Sequence, residues 1–563
     1  MSPSVIWRTG GQVLVDQLRI HNVDTAFCVP GESYLAVIDA LHDAANEIRL
    51  VSCRQEGGAA NMAEAYAKVT GKPGILMVTR APGACNASIG VHTAMQDSTP
   101  MVILIGQVAR DQEYREAFQE IDYRQFYGAL CKWVGQIESA DRIPEMVSKA
   151  FHHAMSGRPG PVALALPEDM LRDITSVADA ECYKAVRPGA DPADIAAMRA
   201  LLAAAKRPLM IVGGGGWDAA ACADIVAFAQ ASNLPCAASF RCQDIFDNSH
   251  DNYVGELGTS ISAALSARVE AADLLLVVGA RLGEMSTKGY SIVAVPRPKQ
   301  TLIHIYPDPD ELGRVYQTDL PLCAGVGRFA AAARAAAPVA APAWADWAAA
   351  ARQDYLDNLE PSLEMPGPVD MLAVIAHIQS RTPDAIITSD AGNFSGWAQR
   401  FFRYTRYRSQ VAPTSGAMGY GVPAAIAARL ACPTRSVIGF AGDGGFMMSG
   451  QEFATAMHYG SDPVIIVVNN AMYGTIRMHQ ERDYPERIVA TDLTNPDFAK
   501  WAESFGAFGA VVERTEDFAP AFDAALKAGR ISLIEIRLDP EVISTTTTLS
   551  RIRAAGLAKQ PRA

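Results

Sequence analysis

Through most of the chain a short run of β-branched residues or leucine leads into a glycine-containing loop. An alanine-rich stretch of about ten to fifteen residues follows, with apolar positions at helical spacing. The runs are apolar throughout rather than alternating, which marks strands covered on both faces. Repetition of strand and helix predicts parallel sheets flanked by helices. In the first third the runs are 25–29, 49–53, 74–78, 101–105 and 161–165. After Pro188 the pattern restarts with 208–212, 274–278 and 302–305, and the last third carries 385–388, 436–440, 464–468 and 532–536. Between these, 328–352 is dominated by alanine, with Pro338, Pro342 and Trp344, and reads as a helix plus a crossing linker. The fold class is therefore α/β, with three doubly wound domains at 1–185, 190–345 and 360–540. A tail, 541–563, carries Arg551, Arg553, Lys559 and Arg562 and reads as an exposed or partner-facing extension.

Composition narrows the function classes. With 563 residues, 49% hydrophobic and 20% charged, the chain has the balance of a globular protein long enough for several cores. The net charge of −12, without a dense basic cluster, argues against nucleic acid as a partner. The ten cysteines fall singly, mostly inside apolar runs and never as C-x-x-C, and read as buried reduced thiols of a cytoplasmic protein. No export signal is expected at the N-terminus. Apolar runs such as 273–280 have only the length of a strand, so no membrane span is expected either.

The chemistry concentrates between 436 and 470. Gly442-Asp443-Gly444-Gly445 closes one strand, 449–459 reads as a helix, and Asn469-Asn470 closes the next strand. In such a βαβ unit both strand ends emerge at one sheet edge, so Asp443 and Asn470 can share a cation. Their hard oxygens suit Mg²⁺ or Ca²⁺, and Mg²⁺ usually completes its octahedron with phosphate oxygens and water. The glycines let a backbone approach phosphate closely, and a helix start offers unpaired N–H donors. A diphosphate cofactor is implied.

At these positions the sequence resembles the thiamine diphosphate enzymes, and over nearly its whole length the acetolactate synthase-like branch. The resemblance implies pyrimidine-binding, central and diphosphate-binding domains. It also implies Mg²⁺ held by Asp443, the Asn470 side chain and the Met472 carbonyl. Pro413-Thr414-Ser415-Gly416-Ala417-Met418-Gly419 matches the stretch that shapes the cofactor, with the Gly416 carbonyl accepting from the 4′-amino group and Met418 wedged between the rings. Arg54-Gln55-Glu56-Gly57-Gly58 matches the stretch whose glutamate hydrogen-bonds N1′ of the aminopyrimidine, so Glu56 is the expected catalytic acid/base. Asp390 and Asn393 are expected to add diphosphate contacts. In this family the two halves of the site come from different subunits, which implies a homodimer or homotetramer.

The substrate is less determined. Ala117-Phe118-Gln119-Glu120 matches the F-Q-E run of acetolactate synthases, whose aromatic ring and amide face a small 2-oxo acid. His479 stands where those enzymes have a tryptophan, and Met285 where they have an arginine. Glu32 stands where pyruvate decarboxylase has an acidic residue near the reacting carbon. The expected function is thiamine diphosphate- and Mg²⁺-dependent decarboxylation of a 2-oxo acid with carboligation. The alternative is a simple decarboxylase or C–C lyase releasing an aldehyde. A non-catalytic nucleotide-binding homologue would be expected to lack Glu56 or Asp443, and both are present. In the central domain Gly213 to Gly216 give a partial G-x-G-x-x-G pattern with Asp218 in place of its last glycine. Relatives bind FAD, an ADP-like group or nothing there, so FAD stays open.

Overall fold

The computed structural model describes residues 6–339, 342–361, 363–364 and 366–559. Three six-stranded sheets, parallel in every pairing, organise them. Counting strands within each sheet in chain order, the first and last sheets run 2-1-3-4-6-5, and the middle sheet runs 3-2-1-4-5-6. Each order reverses beside its first strand. There the loops leaving the two neighbouring strand ends diverge and open a crevice at the carboxyl edge.

All the expected strands are present, several longer by a residue or two. Pro208–Val212 and Leu274–Val278 match to the residue, while Met101–Gln107 and Val437–Gly442 run further than their apolar cores. Six strands of the three sheets lie outside the expected set: Trp133–Gln136, Cys236–Ser239, Tyr253–Leu257, Leu320–Cys323, Gln410–Val411 and Phe508–Val512. All but Cys236–Ser239 are edge strands. An edge strand has one neighbour and less need of a continuous apolar run. Cys236–Ser239 is internal but reads Cys-Ala-Ala-Ser, with little β propensity. The alanine-rich segment holds two helices, Val326–Ala335 and Ala345–Leu359.

The chain forms two compact units. One runs to Val186 and includes Ile426–Ala431 and Gln451–Tyr459. The other comprises Arg187–Ala425, Cys432–Gly450 and the chain from Gly460 onward, and holds the middle and last sheets. In the first unit, Val13, Leu14 and Leu18 of helix Gly10–Ile20 pack with Phe151 and the strand residues Ile75 and Leu104. That helix is fixed at its start by a capping box between Thr9 and Gln12. In the second unit the last sheet is covered on one face by Phe518 and Phe522 of helix Thr515–Lys527 and by Ile375 and Ile378 of helix Met371–Arg381. No described helix is long and apolar enough to cross a membrane. All ten cysteines are free, but only five are buried, and Cys85 and Cys323 are exposed.

The last described helix of the tail is docked although most of its residues are exposed, and Arg562 lies outside the described residues. Helix Leu549–Lys559 lies against helix Gly474–Asp483, with Gly556 so close that a Cβ would fall 2.6 Å from the Glu481 carbonyl. Glu481 is fully buried and accepts from Arg553 Nε at 2.8 Å, Arg553 Nη2 at 2.6 Å and Arg477 Nε at 3.3 Å. The Arg553 hydrogen bonds are the largest cause holding its carboxyl down at about 2. A depressed carboxylate contributes stability above its unfolded value and loses it as pH falls through the folded one. Docking of the helix should therefore persist at about pH 4. Replacing Glu481 with glutamine should cost about 1–3 kcal/mol and speed tryptic cleavage at Arg551 and Arg553, read by mass spectrometry.

Candidate functional site

A crevice opens at the carboxyl edge of the last sheet. Strand Ile386–Ser389 has Gln410–Val411 on one side and Val437–Gly442 on the other, and a cavity of about 240 Å³ opens over the strand ends. Gly442 pairs in register with Val468, so Asp443 and Asn470 leave adjacent parallel strands side by side. Both line the cavity, as do Asn393, Gly416, Met418, Gly442, Gly444, Gly445 and Met472. Asp390 does not line it. Its carboxylate, 1% exposed, instead accepts the backbone N–H groups of Gly419, Tyr420 and Gly421, and burial pushes its carboxyl up to about 6. His479, one turn beyond Thr475 on helix Gly474–Asp483, is also absent from the lining.

The intervening helix differs from the expected 449–459. A helix starts at once, Asp443–Ser449, gives way to a 3₁₀ turn at Gly450–Glu452, and is followed by Phe453–Tyr459. The G-D-G-G glycines also have a second reason to be glycine. A Cβ on Gly442 would meet the Phe394 ring at 2.9 Å, on Gly444 the Tyr473 ring at 2.5 Å, and on Gly445 Asp390 Oδ2 at 2.3 Å. Gly416 is the opposite case. Its φ is +74° and its open side meets nothing within 4 Å.

Asp443 is 2% exposed, and burial is the main cause raising its carboxyl above the ordinary value. Asn495 Nδ2 donates to Asp443 Oδ2 at 2.8 Å and to Asn469 Oδ1 at 3.0 Å. The two asparagines divide: Asn469 donates to Glu535 Oε1 at 2.7 Å within the sheet, while Asn470 faces the cavity. The Met472 carbonyl accepts from Gly474 N at 2.9 Å and keeps a second lone pair. One carboxylate, one amide and one carbonyl at one cavity wall form a set of hard oxygens for a divalent cation. Asn495 went unread because Asn-Pro before a helix looks only like a helix start.

In the first unit strand Thr25–Cys28 lies between Arg49–Ser52 and Gly74–Val78. The crevice edge there carries Glu32, Glu56 and the loop with Phe118 and Gln119. Glu56 opens helix Glu56–Thr70, is half-buried, and accepts from Asn86 Nδ2 at 2.9 Å. The segment before it is pinned by Glu452, fully buried, which accepts from Arg54 N at 3.1 Å and Gln55 N at 3.0 Å. Asn86 and Glu452 were not legible as site residues, since neither partner is near in sequence. Glu32 and Phe118 are exposed, Phe118 by 71%. Arg80 holds the Phe118 carbonyl at 3.2 Å, and Gln119 takes φ +66°.

The middle sheet has its own switch point, where two of the glycines pack against protein. A Cβ on Gly214 would lie 2.0 Å from the Gly279 carbonyl, and one on Gly279 would lie 2.5 Å from the Gly213 carbonyl. Trp217, 4% exposed, donates to Gly213 O at 2.9 Å. Gly214 and Gly279 thus let two loops touch, while Gly216 is exposed, with only Val326 Cγ2, at 3.7 Å, near the place of a Cβ.

Comparison with known proteins gives three matches in chain order. They are the N-terminal TPP binding domain of thiamine pyrophosphate enzymes over residues 8–126, the central domain over 195–333 and the C-terminal TPP binding domain over 390–536. The acetolactate synthase large subunit of Parasynechococcus marenigrum is 33% identical over 552 residues, covering 94% of this chain and 87% of that protein. The isozyme 2 large subunit of Escherichia coli K12 is 31% identical, covering 94% and 95%. The acetolactate synthase of Mycobacterium bovis is 32% identical, covering 92% and 86%.

Proposed function

The chain belongs to the thiamine pyrophosphate enzymes, and we propose that it decarboxylates a small 2-oxo acid and joins the remainder to a second carbonyl compound, as acetolactate synthases do. It is a thiamine diphosphate-dependent enzyme of the carboligase or transferase kind. The observation that carries the reading is Asp443 beside Asn470 at one end of a cavity whose wall includes Gly416 and Met418.

In this proposal Asp443, Asn470 and the Met472 carbonyl would hold a Mg²⁺ that neutralises the diphosphate. Asn495 orients Asp443. Gly416 and Met418 would hold the organic rings, and Asn393 would contact the diphosphate. The bound cofactor supplies an electron sink that lets the carboxylate of a 2-oxo acid leave. Glu56 holds a proton at its carboxyl oxygen toward the pyrimidine ring, and the Asn86 amide orients it. Phe118 and Gln119 face the substrate. His479 takes a lesser place, since Thr475 and Ile476 are nearer the cavity on the same helix. Glu32, exposed on the same edge as Glu56, is what favours the second reading, in which a second carboxylate delivers a proton and an aldehyde is released. FAD has no part in the proposed reaction. We further assign domains at 1–185, 190–345 and 360–540, a homodimer or homotetramer with shared sites, and a cytoplasmic location.

Reconstitution with thiamine diphosphate and Mg²⁺, followed by product analysis with pyruvate and longer 2-oxo acids, tests the proposal. Acetolactate or acetoin together with CO₂ is expected. Aldehyde alone would favour the second reading, and no CO₂ from any oxo acid would reject decarboxylation with or without carboligation.

A further inference from the structure

A residue outside the expected site governs the loop that carries Gly416 and Met418. Arg241 follows strand Cys236–Ser239 of the middle sheet, is 7% exposed, and has φ +59°, a left-handed value that costs an arginine strain. Its backbone is held there by a hydrogen bond to the carboxylate of Glu256, which is itself 9% exposed. The guanidinium lies over the Phe240 ring at 4.9 Å and reaches the last sheet's loops. Nη1 donates to the Pro413 carbonyl at 2.6 Å and Nη2 to the Asp390 carbonyl at 3.2 Å.

Those two carbonyls govern both ends of one loop. Pro413 is where the loop starts. Asp390 receives, on its side chain, the N–H groups of Gly419, Tyr420 and Gly421, where the loop ends. Between the ends, Gly416 at φ +74° and Gly419 at φ +78° leave the backbone with little stiffness of its own. Ala391 N also donates to the Ala417 carbonyl at 3.3 Å, and one guanidinium bears on both ends of the loop, directly at Pro413 and through Asp390 at residues 419–421.

We infer that Arg241 is the positioning residue of the ring-binding loop, setting affinity for the organic half of the cofactor without touching it. This rests on the thiamine diphosphate reading above. Hydrogen bonds from a charged donor to two carbonyls correspond to a change in affinity of about tenfold or more. The experiment is calorimetric titration of the Mg²⁺-loaded full chain with thiamine diphosphate and, separately, with inorganic pyrophosphate, for the wild type, Arg241→Lys and Arg241→Met. Expected is a loss of about tenfold or more in thiamine diphosphate affinity in Arg241→Met. Pyrophosphate affinity should stay within about twofold, and Arg241→Lys should recover part of the loss.

Should Arg241→Met not fold, as an uncompensated Glu256 could cause, Arg241→Lys decides alone by the same split. Equal loss for both probes would make Arg241 a general structural residue and overturn the inference, as would no loss for either. A wild-type chain that binds neither probe would instead overturn the function on which the inference rests.

Discussion

Glu56→Gln is expected to lower turnover about 10²–10⁴-fold, the range over which a positioned acid/base group contributes to catalysis. The argument is geometric before it is chemical. Glu56 is the first residue of helix Glu56–Thr70, where a side chain is aimed by the helix start rather than by its own packing. Two constraints fix that start: Glu452 accepts the N–H groups of Arg54 and Gln55, and the Gln55 side chain caps Gly58 N at 3.0 Å. Glutamine is nearly isosteric and can keep a contact with the Asn86 amide through its own carbonyl oxygen, so the fold and the helix start should survive. What it cannot do is exchange a proton. Turnover should therefore collapse while thiamine diphosphate affinity, measured by titration, changes by less than about threefold. Asn86→Ala should give a smaller loss, since the carboxylate then loses only its orientation. Undiminished turnover in Glu56→Gln would assign the acid/base role elsewhere.

How much of this could be read in the sequence follows a physical line. Strands buried on both faces announce themselves by apolar runs, so Pro208–Val212 and Leu274–Val278 were legible to the residue. Edge strands such as Trp133–Gln136 and Leu320–Cys323 were not, because solvent on one side relaxes the pattern that names a strand. The same line divides the site. Asp443 and Asn470 are tied by a fixed separation within one βαβ unit, and that separation is visible in the chain. Asn495, Glu452 and Arg241 act through partners 52, 398 and 172 residues away, and no local signal marks them. The position of Asp390 carried another lesson. A carboxylate after a strand suggested a phosphate contact, yet its burial beside the N–H groups of residues 419–421 makes it a loop anchor. The helix after Asp443 was misplaced because Gly444, Gly445 and Gly450 look like helix breakers, whereas Tyr473 and Asp390 require the first two and leave no room for side chains.

Replacement of Asp443 by asparagine should produce effects of opposite sign on ligand binding and on the stability of the ligand-free chain. Among the described residues Asp443 supplies the only carboxylate that lines the cavity, and an asparagine there would keep an oxygen but remove the charge that a divalent ion needs. At a cofactor concentration of about 100 Kd the wild-type chain should gain about 2.7 kcal/mol of stability from binding. Asp443→Asn should show little of that gain, and almost no turnover. Yet the same carboxylate is nearly buried, and its burial disfavours the charged form more than Asn495 and the backbone N–H groups of Gly444 and Ala471 favour it. A neutral amide avoids that desolvation, so without ligand the variant should melt at or above the wild-type temperature. Differential scanning calorimetry of both proteins, with and without thiamine diphosphate and Mg²⁺, measures the two effects at once. A variant that still gains the full ligand shift would remove Asp443 from the cation site. One that melts well below the wild type without ligand would show that Asp443 holds the fold together, and that its charge serves architecture rather than the cofactor.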